Sequence, residues 1–232
     1  MISVIIPTLN EAQSLPTLLA GLQGQDDLAE CIVADGGSRD GTAALARQSG
    51  ARVVRCRRGR GAQLDAGARA ARGDVLLFLH ADTIVPAGAL ARIGEVLAER
   101  PAVMGGNFRL LFDGDDPFSR WLDGFYRWIR ERGFYYGDSG IFVRREAYRA
   151  LGGYRPMALM EDYDFTRRLE EFGETCCIED PPLITSSRRF RGRRPAAIVG
   201  GWLILHGLYH MGVPADRLAR LYDSERRPRG AG

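Results

Sequence analysis

Short apolar runs rich in β-branched residues alternate with helical patterns over the first hundred positions of the chain. Four strands are predicted from them, at 2–6, 31–34, 52–55 and 75–79. Apolar residues that recur at i, i+3, i+4 and i+7 predict two helices, over 15–22 and over 90–97. This alternation predicts a parallel sheet with helices on both faces, in which ligands bind at the carboxyl ends of the strands.

The second half of the chain is less regular. Further strands are predicted at 103–112 and 141–143, and a helix follows 160–162. Positions 118, 121, 122, 125 and 129 form an aromatic helical stripe that we expect to pack in the core. The apolar stretch 196–213 falls short of the roughly 20 predominantly apolar residues that a membrane span needs. It predicts a helix that packs on the domain or lies at a membrane surface.

The composition is that of one globular domain, with 45% apolar and 26% charged residues in a chain of 232. It excludes disordered and collagen-like classes. All 32 basic residues are arginine, which excludes Schiff-base chemistry, a lysine nucleophile and a Walker-type phosphate lysine. Residues 185–232 hold 10 arginines against 3 acidic residues, a net charge of +7, whereas residues 1–184 carry −4. Two interpretations of this basic segment are open. It binds an anion or an anionic surface, or its arginines only keep a C-terminal extension in contact with water.

The four cysteines have neither C-x-x-C nor disulfide-framework spacing, so buried free thiols in a reducing compartment are expected. The N-terminus lacks a basic region and meets Pro7 after a few apolar residues. It therefore predicts a strand and not a signal peptide. We expect a cytoplasmic protein, with peripheral contact at the inner face of the membrane left open.

Polar residues follow three of the predicted strands. These segments are Pro7-Thr8-Leu9-Asn10-Glu11, Asp35-Gly36-Gly37-Ser38-Arg39-Asp40-Gly41-Thr42 and His80-Ala81-Asp82. Each alone is also explained as a helix cap or a turn. Their coincidence at successive strand ends predicts a ligand site at one edge of the sheet.

Together with residues 74–82, the first two segments resemble the family 2 glycosyltransferases. Within that family the chain is most similar to a small bacterial subgroup whose acceptors are largely uncharacterised. Some members of this subgroup are named as carotenoid-acid glycosyltransferases. The similarity runs from Met1 to Leu221. It implies an α/β fold with a single GT-A-like domain that binds a nucleotide-diphosphate sugar. In this fold a mostly parallel mixed sheet is flanked by helices, and a C-terminal helical segment follows. The implied divisions are a nucleotide-sugar half (1–110), an acceptor half (111–195), C-terminal helices (196–222) and a disordered tail (223–232).

The resemblance implies a nucleotide-diphosphate sugar as donor. The residues implied in its binding are Pro7, Thr8, Asn10, Glu11, Asp35, Gly37, Ser38, Arg60, Asp65, His80, Ala81 and Asp82. Asp35 is expected to bond the base, and Asp65 to stand near the ribose and sugar. The arginine-rich loop 57–61 either faces the diphosphate, because arginine forks onto phosphate oxygens, or is a solvated surface loop.

His80-Ala81-Asp82 takes the place of the family's D-x-D motif, with histidine for the first aspartate. The resemblance implies Mg²⁺ or Mn²⁺ held by Asp82, with phosphate oxygens and water completing the coordination. His80 is left to contact the ribose or a phosphate.

Glu161-Asp162 matches an E-D pair beneath the acceptor, with Asp162 as catalytic base and Glu161 as its neighbour. Repulsion between adjacent carboxylates and burial both raise a carboxyl pKa, which suits a base near neutral pH. The helix dipole alone also favours acidic residues in a first turn.

Asp138 and Ser139 are the implied acceptor contacts. Arg188 and Arg191 are the expected phosphate contacts in the segment 187–194, which lacks the glutamine and tryptophan that processive relatives carry there. A diphosphate clamp, an anionic-lipid contact and a nucleic-acid patch remain open, the last disfavoured because one aromatic residue interleaves the arginines. His206 and His210 lie at i and i+4, a spacing that binds metal or, more often, reflects packing.

The predicted function is non-processive, inverting, metal-assisted glycosyl transfer to an unknown acceptor that is lipid- or carotenoid-like. Inversion rests on the resemblance. A sugar-phosphate nucleotidyltransferase is one alternative, although it usually presents a glycine-rich basic loop after the first strand. A non-catalytic membrane-surface protein is the other. No nucleic-acid partner is expected, and the oligomeric state is left open.

Overall fold

The computed structural model describes residues 1–190 and 194–226. Within this part of the chain one sheet contains β1 (Ile2–Thr8), β2 (Leu28–Asp35), β3 (Arg52–Arg55), β4 (Val75–Phe78), β5 (Val103–Phe112), β6 (Ile141–Arg144) and β7 (Glu174–Thr185). The helices are α1 (Leu15–Leu22), α2 (Thr42–Gln48), α3 (Arg60–Ala70), α4 (Ala89–Glu99), α5 (Pro117–Arg130), α6 (Arg145–Ala150), α7 (Glu161–Phe172), α8 (Pro195–His210) and α9 (Ala215–Arg226).

The sheet has the strand order β3-β2-β1-β4-β6-β5-β7. The first four strands in this order are parallel, whereas β6 runs antiparallel to both β4 and β5, and β7 is parallel to β5. The predicted α/β class with a mostly parallel mixed sheet is therefore confirmed. In the register, Thr8 pairs with Asp35 and Ile5 with Phe78, so the carboxyl ends of β1, β2 and β4 meet at one edge.

Successive side chains of a strand point to opposite faces, so the sheet has an apolar cluster on each side. Val4 and Ile6 of β1 pack with the leucines of α1 and the apolar face of α4. Ile5, between them, packs on the other side against α3 and α7. The two layers hold the strand ends in fixed positions.

The strands predicted from β-branched runs are all present, and α8 and α9 occupy the range 196–222 expected to hold C-terminal helices, whereas β7 and the helices α2, α3 and α6 were not predicted. Residues 57–61 were expected to be a loop, yet α3 already begins at Arg60. The last helix continues to Arg226, four residues into the tail expected to be disordered; residues 227–232 lie outside the described residues. All four cysteines are free thiols, although only Cys176 is fully buried. None of the described helices is both long and apolar enough to cross a membrane.

The aromatic stripe of α5 was expected to be core, and this prediction is wrong for part of it. Leu122 and Ile129 are buried, but Trp121 is 46% exposed. Phe125 lies between two stacked tryptophans, with ring centroids 5.0 Å from Trp121 and 6.1 Å from Trp128. The helix therefore presents an aromatic row to the surface as well as an apolar face to the core.

Helix α3 packs unusually close to β1, and Gly67 permits this approach. A Cβ atom at Gly67 would lie 2.4 Å from Cγ2 of Ile5, which is buried in the sheet. We expect Gly67→Ala to lower the free energy of unfolding by about 1–3 kcal/mol, because the overpacked helix must shift. Urea unfolding measures this change.

Gly124→Ala is the matched control, since Gly124 is also inside a helix but has open space around its Cα. It should raise stability by up to about 1 kcal/mol, because alanine favours helix more than glycine does. Equal effects of the two substitutions would show that the close contact with Ile5 does not influence the free energy of unfolding.

Candidate active site

The loops after β1 and β2 are tied to each other by side-chain to backbone hydrogen bonds. Asn10 donates its backbone N–H to Oγ of Ser38 at 2.9 Å, and its own Oδ1 accepts from the backbone N–H of Arg39 at 2.9 Å. The backbone N–H of Glu11 donates to Oγ1 of Thr42 at 2.9 Å. Asn10 has a φ of 58°, a left-handed conformation that asparagine tolerates well. The two loops therefore form one preorganised wall at the edge of the sheet.

The Asp35 carboxylate, at the end of β2, organises the loop that follows. It is buried and accepts hydrogen bonds from the backbone N–H groups of Gly37 and Ser38, each at 3.2 Å. The hydroxyl of Thr8 in β1 donates to it at 3.4 Å. These bonds fix the loop against the strand before Asp35; the expected contact of Asp35 with a base stays a prediction.

Gln63 holds two strand ends of the site together, and its role was not predicted from the sequence. Its buried side-chain amide donates to the carbonyl oxygens of Thr8 at 2.8 Å and Ala34 at 2.9 Å, which joins the ends of β1 and β2. A Cβ at Gly36 would lie 3.0 Å from Cδ of this amide. A signal existed, because Gln63 and Gly67 lie at i and i+4 and share the buried face of α3.

Asp65, on the same helix, is engaged within the protein. Its Oδ2 accepts from Nε of Arg69 at 2.7 Å, and its Oδ1 accepts from the hydroxyl of Tyr148 at 3.2 Å. The structure thus gives Asp65 a role in joining α3 to α6. Its expected position near the ribose and sugar stays a prediction.

Asp162 and His80 converge on one point beside Gly137. A Cβ atom added to Gly137 would lie 3.2 Å from both Oδ2 of Asp162 and Nε2 of His80. The Asp162 carboxylate is held by the backbone N–H groups of Gly137, at 2.9 Å, and Tyr163, at 2.8 Å. The start of α7 therefore faces the end of β4, with glycine as the only residue that leaves space between the two side chains.

Glu161, next to Asp162, is buried and faces Arg60 at the start of α3, with Nε and Oε1 3.5 Å apart. Burial, and then the charge of Asp162, raise the pKa of Glu161 to about 7, while Arg60 opposes this rise. Arg60 keeps 45% of its side chain exposed. Asp164, two residues beyond this pair, forms ion pairs with Arg155 and Arg168, each at 2.7 Å, and stabilises the fold.

Asp82 follows β4 at the same edge and is partly exposed, as is His80. No three His, Cys, Asp or Glu side chains of the described residues lie close enough to enclose a metal ion by themselves. Magnesium and manganese commonly bind through one or two carboxylates plus substrate phosphates and water. The donor set at Asp82 fits an ion shared with a diphosphate and does not fit a cage built by the protein alone.

The acceptor residues proposed from the sequence directly follow Gly137, in the turn whose backbone N–H binds Asp162. Asp138 is buried and its Oδ2 accepts from the hydroxyl of Tyr126 at 2.9 Å. Ser139 is buried and donates its hydroxyl to the carbonyl of Tyr136 at 2.7 Å. Asp138 borders the cavity described next, whereas the Ser139 hydroxyl serves its own turn. Arg191 lies outside the described residues, as does the side chain of Arg188, so their expected phosphate contacts stay predictions.

A cavity of about 670 Å³ opens between α5, α7 and α8. Its polar end is formed by Arg60, His80, Asp138, Glu161 and Asp162, and the rest is lined mainly by aromatic and aliphatic side chains, together with Arg167, His206 and His210. The sequence reasoning did not connect these aromatic residues with the site, because they come from three separate segments of the chain. The cavity joins the carboxylates of α7 to an apolar compartment.

His206 and His210 line the apolar part of this cavity. Nε2 of His206 lies 2.9 Å from the hydroxyl of Tyr136, and its Nδ1 lies 2.9 Å from the carbonyl oxygen of Trp202. Nε2 of His210 lies 3.1 Å from the hydroxyl of Tyr163. These contacts favour the packing interpretation of the pair over the metal site.

Two relatives at the sequence level are glycosyltransferases by name. A 4,4'-diaponeurosporenoate glycosyltransferase of Staphylococcus haemolyticus is 40% identical over 89 residues, which cover 35% of this chain and 24% of the relative. A PGL/p-HBAD biosynthesis glycosyltransferase of Mycobacterium bovis is 30% identical over 97% of this chain and 86% of its own length. With the first relatives the match spans only a quarter to a half of their length.

Two solved structures share the fold. A mannosyltransferase from Pyrobaculum calidifontis, in complex with GDP-Man and Mn²⁺, has a TM-score of 0.65 at 23% identity and covers 88% of this chain and 61% of its own. A glucosyl-3-phosphoglycerate synthase from Mycobacterium tuberculosis, in complex with Mn²⁺, UDP-glucose and phosphoglyceric acid, has a TM-score of 0.64 at 23% identity, covering 92% and 80%. The GT-A-like fold is thus confirmed.

The family model described as Glycosyl transferase family 2 matches residues 3–155. This range contains all three strand-end segments and the Gly137 turn, and it favours the glycosyltransferase interpretation over the nucleotidyltransferase alternative. The matched range is well over half of the chain, which therefore belongs to glycosyl transferase family 2.

Proposed function

We propose that the protein transfers a sugar from a nucleotide-diphosphate donor to the hydroxyl group of an acceptor with an apolar body, with inversion and with a divalent cation. The observation that carries the proposal is the convergence of Asp162 and His80 beside Gly137. This point lies where the polar end of the aromatic cavity meets the edge of the sheet. A donor bound at that edge and an acceptor bound in the cavity would meet there.

The tied loops after β1 and β2 supply the donor side of the proposal. Their hydrogen bonds hold Asn10 and Ser38 in place before any ligand binds, which reduces the ordering that binding requires. Arg60, partly exposed and next to the catalytic carboxylates, can turn one side of its guanidinium towards a phosphate. When bound, a divalent cation neutralises negative charge on the diphosphate, and Asp82 is the residue that would hold it.

Asp162 is the proposed base. As the acceptor oxygen attacks the anomeric carbon, its proton passes to a carboxylate oxygen of Asp162, and the bond between that carbon and the diphosphate oxygen breaks. Each carboxylate oxygen has two lone pairs. The hydrogen bonds from Gly137 and Tyr163 occupy one on each oxygen, so a lone pair remains for the incoming proton.

The lining of the cavity supports an acceptor with an apolar body. Tyr163 stacks with Phe134 and Tyr136, with ring centroids 6.3 and 6.1 Å apart, and these rings form a wall that begins at Asp162. Aromatic walls gain free energy by covering apolar surface. The name of the staphylococcal relative, a 4,4'-diaponeurosporenoate glycosyltransferase, is in accord with such an acceptor.

Thermal unfolding with a panel of UDP-, GDP- and dTDP-sugars, each with Mn²⁺, tests the proposal, because a ligand that binds only the folded state raises the unfolding temperature. We expect stabilisation by one class of donor and slow release of nucleoside diphosphate from it. Absence of stabilisation by every donor would contradict the proposal. Pyrophosphate release from a nucleoside triphosphate and a sugar phosphate would support the nucleotidyltransferase alternative instead.

Asp82→Asn should weaken donor binding about tenfold in Mn²⁺ and leave it unchanged in EDTA, because the amide is a poorer ligand than the carboxylate for a hard cation. Calorimetric titration of the stabilising donor measures both affinities. Asp26→Asn is the matched control, since Asp26 is exposed just before β2, at the opposite edge of the sheet. Equal donor affinity of wild type and Asp82→Asn in Mn²⁺ would remove Asp82 from the metal site.

A further inference from the structure

The exposed side of α8 carries no charged side chain. Its most exposed large residues are Leu203, at 70%, and Ile204, at 60%, and Met211 directly after the helix is 73% exposed. Leu203, Gly207 and Met211 recur at the spacing of one helical face and are all exposed. A surface helix normally places charged residues on this side. The side of α8 that faces away from the protein is therefore apolar along its length.

Helix α5 lies beside α8 and presents a second row of unusual composition. Arg120 and Trp121, and again Arg127 and Trp128 seven residues later, are exposed on one side of it. The guanidinium of Arg132 lies 4.0 Å above the Trp128 ring. Tryptophan and arginine are the side chains that settle at a bilayer interface, where the ring sits at headgroup depth and the guanidinium meets lipid phosphate.

The two helices form one continuous surface. Phe125 of α5 stacks on Trp202 of α8, with ring centroids 6.3 Å apart. Trp128, 51% exposed, and Leu203 belong both to this surface and to the lining of the acceptor cavity. The cavity therefore opens through the exposed apolar surface that α5 and α8 share.

Charge identifies the partner of this surface. Arg194, exposed at the start of α8, ends the arginine-rich segment 188–194, and α9 exposes Arg217 and Arg220 against one exposed acidic residue among those whose side chains the structure describes, Asp216. Two acidic residues near α5 have partners within the protein, since Asp116 caps the helix and Glu131 lies 3.8 Å from Arg132. An apolar surface framed by arginines is complementary to an anionic lipid bilayer and would leave buried, unpaired guanidinium groups between two copies of this chain.

We infer that α5 and α8 dock on the surface of an anionic lipid bilayer, without crossing it, and that the acceptor enters the cavity laterally from the lipid. The docking rests on the surface alone, whereas lateral entry also rests on the proposed function. The apolar side chains of α8 and the tryptophans of α5 lie among the headgroups and upper acyl chains, and the arginines contact lipid phosphates. This arrangement brings an apolar acceptor to Asp162 without passage through water.

All three tryptophans of the chain, Trp121, Trp128 and Trp202, lie on α5 and α8, so intrinsic fluorescence reports directly on docking. Vesicles of phosphatidylglycerol and phosphatidylcholine in equal parts should shift the emission to the blue. Lipids brominated on the acyl chain should quench it. Binding should weaken with added salt, which screens the attraction between arginine and anionic lipid, and with phosphatidylcholine alone, which has no net negative charge. Unchanged emission with anionic vesicles would overturn the inference.

The double variant Ile204→Ser with Met211→Ser should bind anionic vesicles at least about tenfold more weakly, because it removes apolar surface that enters the bilayer. Neither residue lines the cavity, so donor stabilisation should be unchanged. Phe172→Ser is the matched control, since Phe172 is 46% exposed on α7 and is not part of this surface. Vesicle binding equal to wild type in the double variant would refute the docking surface.

The remaining alternative is a contact between two copies of the chain. Sedimentation tests it by measuring the oligomeric state of the wild type and of the double variant. A dimer that the double variant dissociates, together with no vesicle binding by the wild type, would overturn the inference in favour of self-association. Failure of the proposed function gives a different result: no nucleotide sugar stabilises the protein, yet vesicle binding and its loss in the double variant persist. Binding to anionic vesicles, lost in the double variant and kept in Phe172→Ser, supports the docking.

Discussion

Asp162→Asn is expected to lower turnover about 10³-fold while the fold and donor affinity persist. The amide oxygen has the geometry of one carboxylate oxygen, but the amide nitrogen cannot accept a proton. Release of nucleoside diphosphate from the stabilising donor is a suitable measurement, since water replaces an unknown acceptor and must also lose its proton to a base. The effect should appear in kcat and leave the donor affinity near its wild-type value.

The contacts of Asp162 set the controls for this experiment. Its two oxygens accept from the backbone N–H groups of Gly137 and Tyr163. An asparagine can accept only one of these bonds, so a stability loss of about 1–3 kcal/mol is expected and must be measured by urea unfolding. Glu171→Gln, an equal change of charge at an exposed position of the same helix, should alter neither activity nor stability. Turnover of Asp162→Asn within a few-fold of wild type would exclude the residue as the base.

The strand ends could be predicted from the sequence because buried parallel strands consist of short continuous runs of apolar, mostly β-branched residues. Asp35 and His80 follow such runs directly and Asn10 follows one within four residues, so their common edge could be inferred before their contacts were known. Helix α3 escaped prediction for a physical reason. Its buried face consists of Gly61, Gln63, Leu64, Gly67 and Ala68, and it holds one large apolar residue because the helix packs close to β1 at Gly67. A tightly packed helix of this kind gives little hydrophobic periodicity.

Strand β7 and the cavity depended on pairings between distant segments. The prolines 181 and 182 and the acidic residues 179 and 180 hide the strand pattern of β7, which tolerates them because it is an edge strand. The aromatic wall at Asp162 combines Phe134, Tyr136 and Tyr163 from separate segments. Local patterns predict which residues are apolar, but the partners of an aromatic ring are decided by tertiary packing. For the same reason the stripe of α5 could be recognised as helical while its exposed residue Trp121 was wrongly assigned to the core.

Glu161→Gln is expected to change how stability depends on pH. Burial and the charge of Asp162 raise the pKa of Glu161 from 4.5 to about 7 in the folded protein. Between these two values the folded state holds a proton that the unfolded state has lost, so this group makes stability fall as pH rises through the window. Above pH 7 the glutamate is ionised in both states and its full cost, about 3 kcal/mol, is present.

Urea unfolding at pH 5 and at pH 8 separates this effect from other titrating groups. The free energy of unfolding of Glu161→Gln minus that of wild type should increase by about 2.5 kcal/mol between the two pH values, because glutamine has no charge to bury and part of the cost is already present at pH 5. Glu171→Gln should give a difference that does not change with pH, since Glu171 is exposed. Parallel curves for Glu161→Gln and wild type would mean that Arg60 compensates the buried charge fully. The expected increase would show that Glu161 ionises near neutral pH directly beside the proposed base. Loss of the Glu161 proton then adds a negative charge next to Asp162.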